Sequence, residues 1–252
     1  MNKIYLSVII PAYKEEGRIG NTLLSLEEYF KDKTYQYEII VVNDGSPDNT
    51  AKVVESYIPR VKNLRLVDNE KNCGKGFAVN CGMAQAKGEY RLFMDADNSV
   101  HISTVEDFLP QLKNGVDVVI GSIRLKSASV SENSGWYRRA LGYVAKVIIG
   151  VLAVPGISDT QRGFKLFSKR AAEVIFPLQT INRFGFDIEL LVIAWVNGLK
   201  IKELPVVWNN ADGSTVTFSS YFQTLRELLR IVRNRLSGKY TFSAINMKKV
   251  NI

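Results

Sequence analysis

Over the first 121 residues strand and helix signals alternate, and that alternation limits what the chain can fold into more than any other feature. Short apolar, β-rich runs stand at Leu6–Ile10, Tyr37–Val42, Leu64–Val67, Tyr90–Met94 and Val116–Ile120. Between them, Arg18–Phe30 carries helical spacing at Ile19, Leu23, Leu26 and Phe30, and helices are also expected over Ala51–Ile58 and Phe77–Ala86. Strands alternating with helices predict an α/β fold around a mainly parallel central sheet flanked by helices. In such sheets ligands sit beyond the carboxyl ends of the strands. Three polar clusters fall at those ends, Tyr13–Glu16, Asn43–Ser46 and Asp95–Ser99, and the loop Asn72–Gly76 joins them. The chain has 252 residues, 46% of them hydrophobic, enough for one large domain with a substantial core.

The second half is less regular. Ser127–Gly135 is Ser-rich and polar and reads as a mobile loop. Trp136–Val154 is apolar with interspersed basic residues and reads as helical, and Ser158–Phe167 is polar and small before turning into a strand. Phe186–Val196 is a helix, and Ile201–Trp208 a strand that Pro205 assigns to a sheet edge. Tyr221–Leu236 reads as a helix with Leu225, Leu228, Leu229, Val232 and Leu236 on one side, flanked by Arg226, Arg230, Arg233 and Arg235. No window reaches the roughly 20 apolar residues of a membrane span, and the amino terminus runs into a strand with no signal-peptide pattern. Cys73 and Cys81 fit neither a zinc spacing nor a disulfide framework, so a reducing compartment is the simpler reading. The net charge of +8, concentrated after Arg124, suits nucleic acid, anionic lipid or phosphorylated substrates, and composition does not choose among them.

The chemistry concentrates in short motifs. Phe93-Met94-Asp95-Ala96-Asp97 ends a buried strand on two carboxylates one residue apart, which an extended backbone turns to the same side. Paired hard oxygens at a strand's carboxyl end suit a divalent metal that also holds substrate phosphates. Asp-x-Asp alone is weak, since a chain of this length carries about one by chance. Asn43-Asp44-Gly45-Ser46 permits a tight turn in which Asp44 can accept from a base imide, or it is a plain turn. Asn72-Cys73-Gly74-Lys75-Gly76 could let backbone approach phosphate beside a lysine, and taken alone it more often starts a helix. It is neither a Walker loop nor a G-x-G-x-x-G fingerprint.

In order, these pieces resemble the nucleotide-sugar half of family 2 glycosyltransferases: Val8 to Glu16, Val41 to Ser46, Asn72 to Gly76, then Asp95-Ala96-Asp97. Gly121-Ser122-Ile123-Arg124, Asp159 to Phe167, Phe186 to Leu191, and Val207-Trp208 through Asp212-Gly213-Ser214 look like polyprenyl-phosphate hexosyltransferases, most closely the dolichyl-phosphate β-glucosyltransferase type. The dolichyl-phosphate mannosyltransferases are a more distant match. The resemblance implies a GT-A fold in one domain over 1–236, with 1–121 as the nucleotide-sugar half, 122–236 as the acceptor half, and 237–252 as a tail. It implies a donor site of Pro11, Ala12, Tyr13, Glu15, Asp44, Gly74, Lys75, Asp95, Ala96 and Asp97, with Asp95 and Asp97 on Mg²⁺ or Mn²⁺. Arg124, Arg138, Arg139 and Ser214 would receive the acceptor phosphate, and Asp187 and Glu189 would face the sugar side. Asp97, Asp187 and Arg124 would carry catalysis: inverting transfer of glucose from UDP-glucose to a polyprenyl or dolichyl phosphate.

The sequence also departs from that pattern. Ser99 stands where the mannosyl relatives carry Gln, Thr215 where the glucosyl relatives carry Lys, and Arg124 is shifted by one position. A third metal ligand and one phosphate contact are therefore in question. The membrane span usual at one end of these relatives is absent, so the expectation is a peripheral protein at the cytoplasmic face of a membrane. Trp136–Val154 and Tyr221–Leu236 would then lie on an anionic surface, or else pack in the core. His101, the only histidine, is expected to be structural. The alternatives are a GDP-mannose-dependent mannosyltransferase, a family 2 enzyme acting on a glycan hydroxyl with Asp187 as base, and a nucleotide-sugar-binding scaffold at the membrane surface. Nucleic-acid binding accounts for the charge but not for the acidic motif.

Overall fold

The computed structural model describes residues 3–125, 156–209 and 218–242, with side chains in the last stretch from Arg226 onward. Seven strands form one sheet: β1 (Leu6–Ala12), β2 (Tyr37–Asn43), β3 (Leu64–Asp68), β4 (Tyr90–Met94), β5 (Val118–Ser122), β6 (Phe164–Ser168) and β7 (Ile201–Pro205). Their order is β3-β2-β1-β4-β6-β5-β7. Every pairing is parallel except the two made by β6, which runs antiparallel to β4 and to β5. The helices are α1 (Ile19–Phe30), α2 (Thr50–Tyr57), α3 (Lys75–Gln85), α4 (Val105–Lys113), α5 (Lys169–Ile175), α6 (Phe186–Val196) and α7 (Phe218–Leu236).

β1 is buried along its whole length because both faces of the sheet are covered. Its side chains alternate between two cores. Ile9 joins Ile40, Val42, Phe93 and the apolar faces of α3, α5 and α6, whereas Leu6, Val8 and Ile10 join α1 and α4. The expected mainly parallel α/β sheet is found, and the strands and helices expected up to residue 121 are present with boundaries shifted by a few residues. β7 lies at the edge, as Pro205 requires, and ends on that proline. His101 accepts a hydrogen bond from the Ser103 backbone N–H and so starts the short 3-10 turn Ile102–Thr104, a structural role.

Two helices were not expected from the sequence. α4 contains Pro110, which removes a backbone donor from the helix interior. It forms because Val105, Phe108, Leu109 and Leu112 fall on one buried stripe. α5 begins at Ser168, whose side chain accepts from the Ala171 N–H at 3.1 Å. Trp136–Val154 and the Ser127–Gly135 loop lie outside the described residues.

The carboxyl-terminal region is tied in from below. Residues 237–242 were expected in a tail, yet Tyr240 is fully buried in the core. Its hydroxyl donates to Glu189 Oε1 at 2.7 Å. The same carboxylate accepts from the Thr180 N–H at 3.0 Å, the Thr180 hydroxyl at 2.6 Å and the Ile181 N–H at 2.7 Å. Asn234 on α7 donates to both Thr180 Oγ1 and Tyr240 Oη, at 3.1 and 3.2 Å. A hydrogen bond to a charged group contributes about 1.5–3 kcal/mol. Tyr240→Phe is therefore expected to lower unfolding free energy by about that amount in urea, with an unchanged m-value. A change below ~0.5 kcal/mol would show that the hydroxyl carries no load there.

Candidate active site

The carboxyl ends of β1, β2, β4 and β5 come together where β1 pairs with β2 on one side and β4 on the other. This is the switch point at which an open α/β sheet leaves a crevice. Pro11 and Ala12 are the buried last residues of β1. The chain then turns through Lys14 at φ 57°, which leaves Tyr13 exposed. The turn is held by the Lys14 N–H donating to Ser46 Oγ at 3.1 Å and the Glu15 N–H donating to Thr50 Oγ1 at 2.9 Å. Glu15 accepts two hydrogen bonds from Arg18, both 2.8 Å. Burial raises its pKa, Arg18 opposes this, and the nearby Asp97 and Asp95 add to the rise. Three carboxylates of the expected donor site thus feel one another.

Asp44 follows β2 and is nearly sealed from solvent. Its two oxygens accept from the Cys73 N–H at 3.0 Å and the Gly74 N–H at 2.7 Å. Asp44, expected to hold the nucleoside, anchors the loop that starts α3. Gly74 has φ +109°, and a Cβ there would lie 2.4 Å from the Asn182 carbonyl oxygen, so only glycine fits. The Phe77 N–H donates to that same carbonyl at 3.0 Å. The Glu189 cluster below therefore fixes the 180–182 backbone, and that backbone fixes the amino end of α3 and Lys75. Glu189, expected on the sugar side, is fully buried in this supporting role.

Lys75 Nζ lies 2.6 Å from Asp95 Oδ1. Burial acts against its charge, but Asp95, Asp187 and Asp97 outweigh that effect and its pKa lies above the usual lysine value. Asp95 is fixed from behind: its N–H donates to the Gly163 carbonyl at 3.0 Å. A Cβ on Gly163 would stand 2.0 Å from Asp95 Oδ2. Asp97 Oδ1 accepts from the Ser99 N–H at 3.0 Å, which gives Ser99 a turn-forming role. The Ala96 carbonyl accepts from the Thr22 hydroxyl, which ties the motif to α1. Asp95 and Asp97 offer the hard oxygens that Mg²⁺ or Mn²⁺ takes. Among the described residues no group of three metal-ligating side chains exists.

Asp187, expected to face the sugar, is buried at the start of α6 against the ammonium of Lys165. Burial raises its pKa, and Lys165 and Lys75 partly offset the rise. Lys165 also donates to the Arg162 carbonyl. Arg124, past the end of β5, is exposed and donates to the Ser158 carbonyl at 2.8 Å. Ser158 and Asp159 are in turn held by Glu203 on β7. Arg138, Arg139 and Ser214 lie outside the described residues. Sequence reasoning gave no role to Gly163 or Lys165, although both stand in the motif from Asp159 to Phe167. Their signal was a glycine and a lysine inside an apolar strand start, which needs a reason. Gly163→Ala is expected to displace the Asp95 carboxylate and slow sugar transfer about a hundred-fold, as misplacement of a reacting group by ~1 Å does. Its thermal midpoint should stay near wild type, and wild-type turnover would remove Gly163 from the site.

The profile of Glycosyl transferase family 2 matches residues 7–176. A dolichyl-phosphate beta-glucosyltransferase of Trichomonas vaginalis is 38% identical over 239 residues, covering 91% of this chain and 73% of that protein. One from Dictyostelium discoideum is 38% identical over 251 residues, covering 94% and 77%, and one from Homo sapiens is 36% identical over 250 residues, covering 93% and 77%. Among solved structures, glucosyl-3-phosphoglycerate synthase from Mycobacterium tuberculosis in complex with Mn²⁺, UDP-glucose and phosphoglyceric acid superposes with a TM-score of 0.70 at 20% identity, covering 91% of this chain and 80% of that one. Mannosyl-3-phosphoglycerate synthase from Rubrobacter xylanophilus gives 0.65 at 15% identity, covering 94% and 75%. Those likenesses bear out the GT-A fold. With the profile spanning β1 to α5 and relatives above 30% identity along nine-tenths of its length, the chain belongs to glycosyl transferase family 2.

Proposed function

We propose that this protein transfers glucose from UDP-glucose to dolichyl or polyprenyl phosphate, with inversion at the sugar carbon. The relatives that are 32–38% identical along most of the chain are named dolichyl-phosphate beta-glucosyltransferases. The single observation that carries the reading is the fate of Asp187. A hydroxyl acceptor needs a base, and the carboxylate nominated for that task is buried against Lys165. A phosphomonoester acceptor, with a second pKa near ~6, is already ionised at neutral pH and needs none.

The donor's diphosphate would meet the ammonium of Lys75 at the amino end of α3. Asp95 and Asp97 would hold Mg²⁺ or Mn²⁺, which neutralises charge growing on the leaving nucleoside diphosphate. Pro11, Ala12, Tyr13 and Glu15 would line the nucleoside end, Arg124 would offset the negative charge of the incoming phosphate, and Arg138, Arg139 and Ser214 would join it. Turnover of UDP-glucose with a short polyprenyl phosphate tests the reading. Asp97→Ala is expected to reduce it at least about a hundred-fold, because the ion supplies several kcal/mol of charge stabilisation. Transfer from GDP-mannose alone, or to a glycan hydroxyl alone, would reverse the assignment.

Among the described residues no helix is long and apolar enough to cross a membrane. In the proposed function, the lipid is met at a surface. α7 divides its apolar residues: Leu228 and Ile231 enter the core, while Leu229 and Leu236 are exposed beside Arg226, Arg230 and Arg233. That outer face suits the anionic cytoplasmic leaflet, at about 1 kcal/mol per basic residue. Arg226, Arg230 and Arg233 replaced by Glu should leave UDP binding intact and prevent sedimentation with phosphatidylserine vesicles at low salt. A wild type that stays in the supernatant would refute the surface assignment.

A further inference from the structure

Two lysine–carboxylate pairs lie one behind the other at this site, and they differ in one respect. Lys165 and Asp187 are sealed, with side-chain exposures of 0% and 6%. Lys75 and Asp95 stand at the open mouth, with 28% and 30%. The ring of Phe93 borders both ammonium groups, 5.8 Å from Lys165 Nζ and 5.4 Å from Lys75 Nζ. The inner pair is further fixed by the hydrogen bond from Lys165 to the Arg162 carbonyl. The outer pair has no such second tie: Asp95 Oδ1 is out of reach of solvent and has no aligned hydrogen-bond donor, so the 2.6 Å contact with Lys75 is a charge contact that covers the atom.

We infer that Lys75 is an exchangeable cation. In the free protein its ammonium occupies Asp95, and it must leave before a divalent ion can take that oxygen. This rests on the reading of Asp95 and Asp97 as metal ligands. A divalent ion arriving alone has to displace a resident positive charge at a site that Gly163 and the strand hold rigid. A nucleoside diphosphate changes the balance. Its oxygens at the amino end of α3 give Lys75 a second anionic partner within the sweep of its flexible side chain. Lys75 then moves from carboxylate to phosphate, and the ion enters the oxygen it has vacated while gaining phosphate ligands. Metal and donor load together. Among the described residues Arg18 is held on Glu15 by two hydrogen bonds and Lys165 is held on Asp187, whereas Lys75 is the cation seated on Asp95.

Titration of Mn²⁺ followed by the paramagnetic resonance of the free ion, with and without UDP, tests this on the whole protein. Wild type should bind Mn²⁺ weakly alone and about ten-fold or more tightly with UDP, a coupling of ordinary allosteric size. Lys75→Met should bind Mn²⁺ alone about ten-fold more tightly than wild type and lose most of the UDP enhancement. Lys75→Arg, which keeps the charge, should retain weak binding alone. In a structure of the wild type with Mn²⁺ and UDP, Lys75 Nζ should be off Asp95 and on a diphosphate oxygen. If Mn²⁺ binds with UDP but Lys75→Met binds the ion alone no better than wild type, or Lys75 is still on Asp95 beside the bound ion, the exchange is refuted and the metal reading survives. If no Mn²⁺ binds even with UDP, both fall.

Discussion

The ion pair between Lys165 and Asp187 is the constraint around which the site is arranged. Two charges taken out of water cost several kcal/mol each, and the loss is tolerable only when each meets its partner in good geometry. Lys165 sits on the antiparallel strand β6 and Asp187 on the first turn of α6, so the pair joins the sheet to the carboxyl-terminal helices. An acidic first turn also suits the positive end of the helix dipole. With that pair in place, Phe93 is walled in, and the outer residues Lys75 and Asp95 have a rigid floor beneath them.

That floor decides which chemistry the crevice can perform. A carboxylate committed to a buried ammonium is a poor base, which fits the proposed acceptor, a phosphate that is already ionised. On the proposed reading, what remains on the open side is an electrostatic apparatus: carboxylates for a cation, a lysine for phosphates, and an arginine past β5. Such an apparatus works by placement, which is why Gly163 and Gly74 matter at points where a single methyl group would meet an oxygen 2.0 and 2.4 Å away.

The regular half of the fold was legible because its signals are local. β1 is a continuous apolar run, and α1 repeats its buried residues at Ile19, Leu23, Leu26 and Phe30. Asp95 and Asp97 were legible as a carboxylate pair at a strand's carboxyl end because their spacing and their place after an apolar run are sequence properties. α4 was not, since Pro110 argues against a helix and only the packing of Phe108 and Leu112 overrules it. Asp187 and Glu189 were readable as a motif but not as buried groups, because what covers them comes from Lys165, Thr180 and Tyr240, distant in sequence. The apolar stripe of α7 shows the same limit. Periodicity groups Leu228 with Leu229, and tertiary contact separates them into core and surface.

The Glu189 cluster has a bearing on how the protein is made. Synthesis delivers the amino-terminal half first, and domains generally begin to fold as they emerge. Here the clamp on the start of α3 is built from 180–182, and Glu189, which holds that backbone, receives its last donor from Tyr240. The strands can pair early, yet Glu189 receives the Tyr240 hydrogen bond only once residue 240 has been synthesised. A nascent chain therefore has to reach Tyr240 before the clamp on the start of α3 has its full set of hydrogen bonds.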